Sequence, residues 1–141
     1  MYKIPWLLRV LLAVVGLSMA GVLITAAILE PSPEGMGTHE QLGLSPCYFP
    51  EKLGVSCPAC GMTTSWAHLM DGNIQASAEV NLGGFFLALT CLFCVPWFVG
   101  SAIKGDWIML RMTDGRLLVF LVSWLLVTMA DWVIRLSLIH I

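Results

Sequence analysis

The sequence predicts an all-α integral membrane fold: three transmembrane helices, a cysteine-bearing extracytoplasmic loop and a short amphipathic helix. Three observations carry this. Charged residues make up 11% of the 141 residues and hydrophobic ones 58%, whereas a soluble domain carries roughly 25% charge. Three apolar stretches are each long enough to cross a hydrocarbon core of about 30 Å. A polar segment holding three of the five cysteines separates the first two stretches. A mean hydropathy of +0.86 fits lipid as the main solvent, and the chain reads as a single membrane domain, 1–141.

The first span is expected over 6–29. Lys3, Arg9 and Ser18-Met19-Ala20 offer the pattern of a signal peptide. The apolar run continues unbroken from Gly21 to Leu29, however, so a retained anchor is the expectation. Ala13, Gly16, Ala20 and Ala27 fall along one side of this helix, where small residues let backbones approach. The second span is expected over 82–103 with Pro96 inside it, and the third over 117–139, with an outer limit at Ile141. Trp132 suits the interfacial zone of the third span.

Orientation follows from the basic residues. Lys3 and Arg9 precede or open the first span, and Lys104, Arg111 and Arg116 sit in the loop 104–116. The loop 30–81 has Lys52 alone against six acidic residues. The positive-inside rule therefore puts the N-terminus and the loop 104–116 in the cytoplasm, with the loop 30–81 and the C-terminus outside. A bacterial inner membrane is the expected location. The net charge of -2 speaks against a nucleic-acid partner; the expected partners are the bilayer and other membrane subunits or a second copy.

Within the outward loop, Pro31 and Pro33 end the first helix, and a turn-rich stretch runs to Pro50. Met62 to Met70 reads as a short helix with Met62, Trp66, Leu69 and Met70 on one face, ended by Gly72. Asp71-Gly72-Asn73 is a turn, and Ile74 to Val80 a further helical segment leading to Asn81.

Cys57-Pro58-Ala59-Cys60-Gly61-Met62-Thr63 is the segment with chemistry in it. Three thiols, Cys47, Cys57 and Cys60, face an oxidising compartment. A bridge from Cys47 to Cys57 or Cys60 would close a loop of about ten residues and stabilise by about 2–3 kcal/mol. Such a staple is the leading reading. A redox reading rests on paired thiols just before a helix, without the βαβ setting that usually accompanies them. A metal reading adds Cys47 and His68 to Cys57 and Cys60, with zinc the cofactor considered, against a default of none. Cys91 and Cys94 share a face inside the second span and read as small hydrophobes. Asp131 and Arg135, one turn apart, read as a salt bridge with a snorkelling arginine. His39, His68 and His140 are scattered, and no Ser/His/Asp set, phosphate loop or two-histidine motif appears.

The motif Gly54 to Thr63, followed by Met70-Asp71-Gly72-Asn73 and Ala78-Glu79-Val80-Asn81, resembles the domain-of-unknown-function 2752 family of small bacterial membrane proteins. Pro58, Gly61, Thr63, Gly72 and Asn81 carry the resemblance with the two cysteines, and Cys47 matches an upstream cysteine usual in that family. Thr64 stands where the family has arginine, and Leu82 where it has proline. The resemblance implies a membrane protein and supplies no reaction. The expected function is a non-enzymatic accessory or scaffold subunit; the alternative is thiol–disulfide exchange or metal handling through Cys57 and Cys60.

Overall fold

The computed structural model describes residues 3–139, so His140 and Ile141 lie outside the described residues. It is all-helical, with three helices long and apolar enough to cross a membrane: α1 (Trp6–Ile28), α4 (Leu82–Lys104) and α5 (Asp114–Ile139). Two shorter helices, α2 (Met62–Met70) and α3 (Ile74–Val80), lie between α1 and α4. A 3-10 turn at Thr38–Leu42 and a π turn at Phe49–Leu53 occupy what the sequence left as a turn-rich stretch.

Local signals set most of these limits. Asn73 and Asn81 cap α3 and α4, their side-chain oxygens accepting from the Ala76 and Gly84 N–H groups. Gly72, at φ 81°, ends α2 as its N–H reaches the Leu69 carbonyl. Gly105 ends α4, and α4 continues through Pro96 as one helix. The third span begins at Asp114, three residues before the expected 117, because the Thr113 hydroxyl accepts from the Arg116 N–H and Asp114 suits a first turn.

The most extensive helix pairing is α1 with α4. At its closest point a Cβ on Gly16 would stand 2.8 Å from Val99 Cγ2. Ala13 packs against the cluster that includes Leu12, Trp97 and Phe98, whereas Ala27 is exposed and Ala26 is the buried residue. Of the expected small-residue stripe, Ala13 and Gly16 therefore serve the α1–α4 contact and Ala27 does not.

Two apolar clusters stack along this pair. Ile4, Leu12, Cys94, Trp97, Phe98 and Ala102 form one near the N-terminal end. Leu23, Ala26, Trp66, Ala88 and Cys91 form the other near the cysteine loop, joined by Met62, Leu69 and Met70. The apolar face of α2 thus packs on the spans, and Cys91 and Cys94 are packing residues. At the opposite end Arg9 donates to the Ala102 and Ile103 carbonyls, satisfying the last turn of α4.

α5 stands apart. Only 6% of its apolar stretch is buried inside the chain, against 39% for α4, and α4 is its sole helical neighbour among the described residues. The contact depends on Gly83. A side chain there would collide with Thr128, and the Trp124 Nε1–H donates to the Gly83 carbonyl at 2.9 Å.

Gly83→Leu is expected to lower stability by about 1–3 kcal/mol through overpacking. Gly21→Leu, where nothing lies within 4 Å, should leave it unchanged. Thermal unfolding in detergent measures both.

Candidate functional site

The chain path between Cys57 and Gly61 is a tight knuckle. The Cys60 N–H donates to the Cys57 carbonyl and the Met62 N–H to the Ala59 carbonyl, each at 3.1 Å. Gly61 closes the turn at φ 81° and starts α2. A Cβ there would lie 2.6 Å from the Gly35 carbonyl oxygen and 2.9 Å from Val80 Cγ1, so both the backbone angle and the space require glycine.

The knuckle turns both its sulfurs toward Cys47. Cys57 Sγ and Cys60 Sγ are 2.9 Å apart, and each lies 3.6 Å from Cys47 Sγ. The three sulfurs fall within 4.8 Å of one another, with Cys57 and Cys60 buried and Cys47 half-buried. They open into a cavity of about 450 Å³ to which His39, Glu40, Glu51 and the first turn of α2 also contribute. His68, the expected fourth ligand, is outside both the cluster and this cavity. It lies in the last turn of α2, whereas the cavity meets the first.

Neighbouring groups split the thiols electrostatically. Burial pushes the Cys47 thiol up, but its hydrogen bonds to the Phe49 backbone and to the Cys60 and Cys57 thiols outweigh this, and the net direction is down. Burial first, then the Cys57 side chain, pushes Cys60 up to about 12.

Beneath the sulfurs, two residues hold the knuckle's carbonyls. Fully buried Asn81 donates from Nδ2 to the Pro58 and Cys60 carbonyls, at 3.1 and 3.0 Å. Arg135 donates to the same two oxygens, from Nη2 to Pro58 at 3.3 Å and from Nη1 to Cys60 at 3.2 Å. Asp131 accepts from Arg135 Nε at 3.0 Å and fixes the guanidinium plane. The Trp132 Nε1–H adds a bond of 2.6 Å to the Ser56 carbonyl. The salt bridge read in the sequence exists, and it does more than neutralise charge: it aims an arginine at the cysteine motif. Trp132 is likewise a knuckle contact. Their spacing along α5 marked the pair, but nothing in the sequence pointed to partners 75 residues away.

The hairpin α2–α3 is locked by buried hydroxyls. Ser65 Oγ donates to the Ser77 carbonyl at 2.8 Å, and Ser77 Oγ to the Ser65 carbonyl at 2.6 Å. Thr64 Oγ1 meets Thr38 Oγ1 at 2.7 Å, and Thr38 in turn accepts from the Ser32 N–H. The preceding loop is thereby tied to α2 within four residues of Cys60. Thr63 lines the cavity, and Gly72 serves the helix end already described.

Residues 47–95 match the family model for proteins of unknown function, DUF2752. The match covers 49 of the 141 residues. It runs from Cys47 through the knuckle, α2 and α3 into α4 as far as Val95, and includes Asn81. Asp131, Trp132 and Arg135 lie beyond the DUF2752 match, as do Thr38 and His39 before it. No curated protein and no solved structure matches the chain.

Among the three loop thiols of the reduced protein, alkylation should reach Cys47 first and Cys60 last, as exposure and thiol acidity both direct. Arg135→Ala should raise the Cys60 rate several-fold and cost about 1–3 kcal/mol by leaving buried carbonyls short of donors. Arg135→Lys should not restore it, since one ammonium cannot span both carbonyls and Asp131 in the same plane. Mass-spectrometric alkylation kinetics and denaturant titration read the two effects.

Proposed function

We propose that this protein is an integral membrane component whose cysteine end holds a thiophilic metal ion, with zinc as the representative, at Cys47, Cys57 and Cys60. The convergence of three sulfurs from two separated chain segments carries the reading. Thiolates at about 2.3 Å from a tetrahedral zinc stand roughly 3.8 Å apart. Two of the three separations here are 3.6 Å, and the third needs the 2.9 Å pair to open by about 1 Å. Soft sulfur donors select zinc or copper(I) over magnesium or calcium. With the positive-inside orientation, the site faces away from the cytosol of a bacterial inner membrane.

A second reading is thiol–disulfide exchange, favoured by the closeness of Cys57 and Cys60 and by the acidified, half-buried Cys47. The accessory-subunit role is compatible with either. It is supported by α5, whose apolar stretch is largely uncovered by its own chain. A partner helix or lipid fits there.

Titration of the reduced, detergent-solubilised protein with zinc should show one equivalent bound. Cys47→Ser, Cys57→Ser and Cys60→Ser should each weaken binding at least about tenfold, while Cys91→Ser and Cys94→Ser leave it unchanged. Bound zinc should protect the three loop thiols from alkylation. Absence of binding, together with Cys57 and Cys60 cycling between thiol and disulfide in native membranes, would establish the exchange reading instead.

A further inference from the structure

Three sulfurs leave a tetrahedral ion one position short, and the sequence's choice for it, His68, is directed elsewhere. The cavity in front of the sulfurs brings three other potential donors: His39, Glu40 and Glu51. Glu51 is exposed and paired with Lys52 at 3.5 Å. Glu40 is an exposed carboxylate, a harder donor than a site built of thiolates prefers.

His39 has the arrangement of a ligand in waiting. Its Nε2 lies 3.2 Å from the Ser45 carbonyl. A carbonyl only accepts, so Nε2 is the donor, and in the neutral imidazole Nδ1 then keeps its lone pair. Metal-bound histidines generally fix their tautomer in this way, donating the second ring N–H to a carbonyl or carboxylate. The residue is half-buried in the 3-10 turn Thr38–Leu42. Its neighbour Thr38 is held to Thr64 at the start of α2, close behind Cys60. Gly37 and Gly43, at φ 86° and 77°, flank the turn. His39 lines the cavity but lies outside the group of three sulfurs, so ligation requires this turn to close toward them.

We infer that His39 is the fourth ligand, giving a Cys3His site that draws the loop before Cys47 onto the knuckle; this rests on the metal-binding reading above. A site closed by four protein ligands is of the structural kind, whereas three thiolates and a water would leave an open position.

The test uses the full-length protein in detergent, loaded with one equivalent of zinc. X-ray absorption at the zinc edge should show three sulfurs and one nitrogen, with the outer-shell scattering of an imidazole. His39→Ala should remove that scattering and weaken zinc at least about tenfold in competition with a chromophoric chelator. His39→Cys should restore tight binding as a four-sulfur site, which separates ligation from any effect on folding. His68→Ala should change nothing. Zinc bound by three sulfurs with imidazole scattering unaltered in His39→Ala, or with an oxygen in the fourth place of the unmodified protein, would overturn the assignment of His39 while sparing the metal site. Failure of the unmodified protein to bind zinc would overturn both.

Discussion

The carbonyls of Pro58 and Cys60 need hydrogen-bond donors, and the rest of the cysteine end is organised around supplying them. A knuckle that turns two sulfurs outward necessarily turns peptide oxygens inward, toward the helices. Buried without partners, each would cost about 1–3 kcal/mol. Asn81 and Arg135 answer the same two oxygens from different helices. Asn81 also caps α4 through its other amide atom, so the start of the second span and the shape of the knuckle are one structural decision. Arg135 is itself held by Asp131, which lets a charged residue near a span's end take a single orientation.

This clamp gives α5 its place. The helix buries little of its apolar surface within the chain, and hydrophobic burial in lipid does not drive helices together. Polar bonds and close packing must do so. The Gly83–Thr128 contact and the Trp124 bond hold its middle, and Trp132 and Arg135 hold its end. The geometry of the three sulfurs is consequently linked to the docking of a membrane helix outside the segment that matches DUF2752.

Small residues and buried hydroxyls seat the α2–α3 hairpin over the apolar core. Gly61 admits the Gly35 carbonyl, and a Cβ on Gly84 would come within 3.1 Å of Met62 Cγ. Thr64 is fully buried and bonded to Thr38. A guanidinium in that space would displace the loop bearing His39. Thr64 thus sets a specific loop attachment at the wall of the cavity beside the sulfurs.

Helix existence and limits were legible in the sequence because local chemistry decides them. Apolar runs of membrane length define α1, α4 and α5. The limits of α2 and α3 follow from Gly61, Gly72, Asn73 and Asn81, whose capping and positive-φ roles act within a few residues. The three loop cysteines were also legible as one candidate set, since their number and spacing permit few alternatives. The tertiary structure decided which side chains surround them. Asp131–Arg135 looks like an ordinary one-turn salt bridge until the partner carbonyls are placed beside it, and His39 looks isolated until the turn at Thr38 is hung from α2. Contacts across such sequence separations depend on how helices pack, which residue spacing along the chain does not encode.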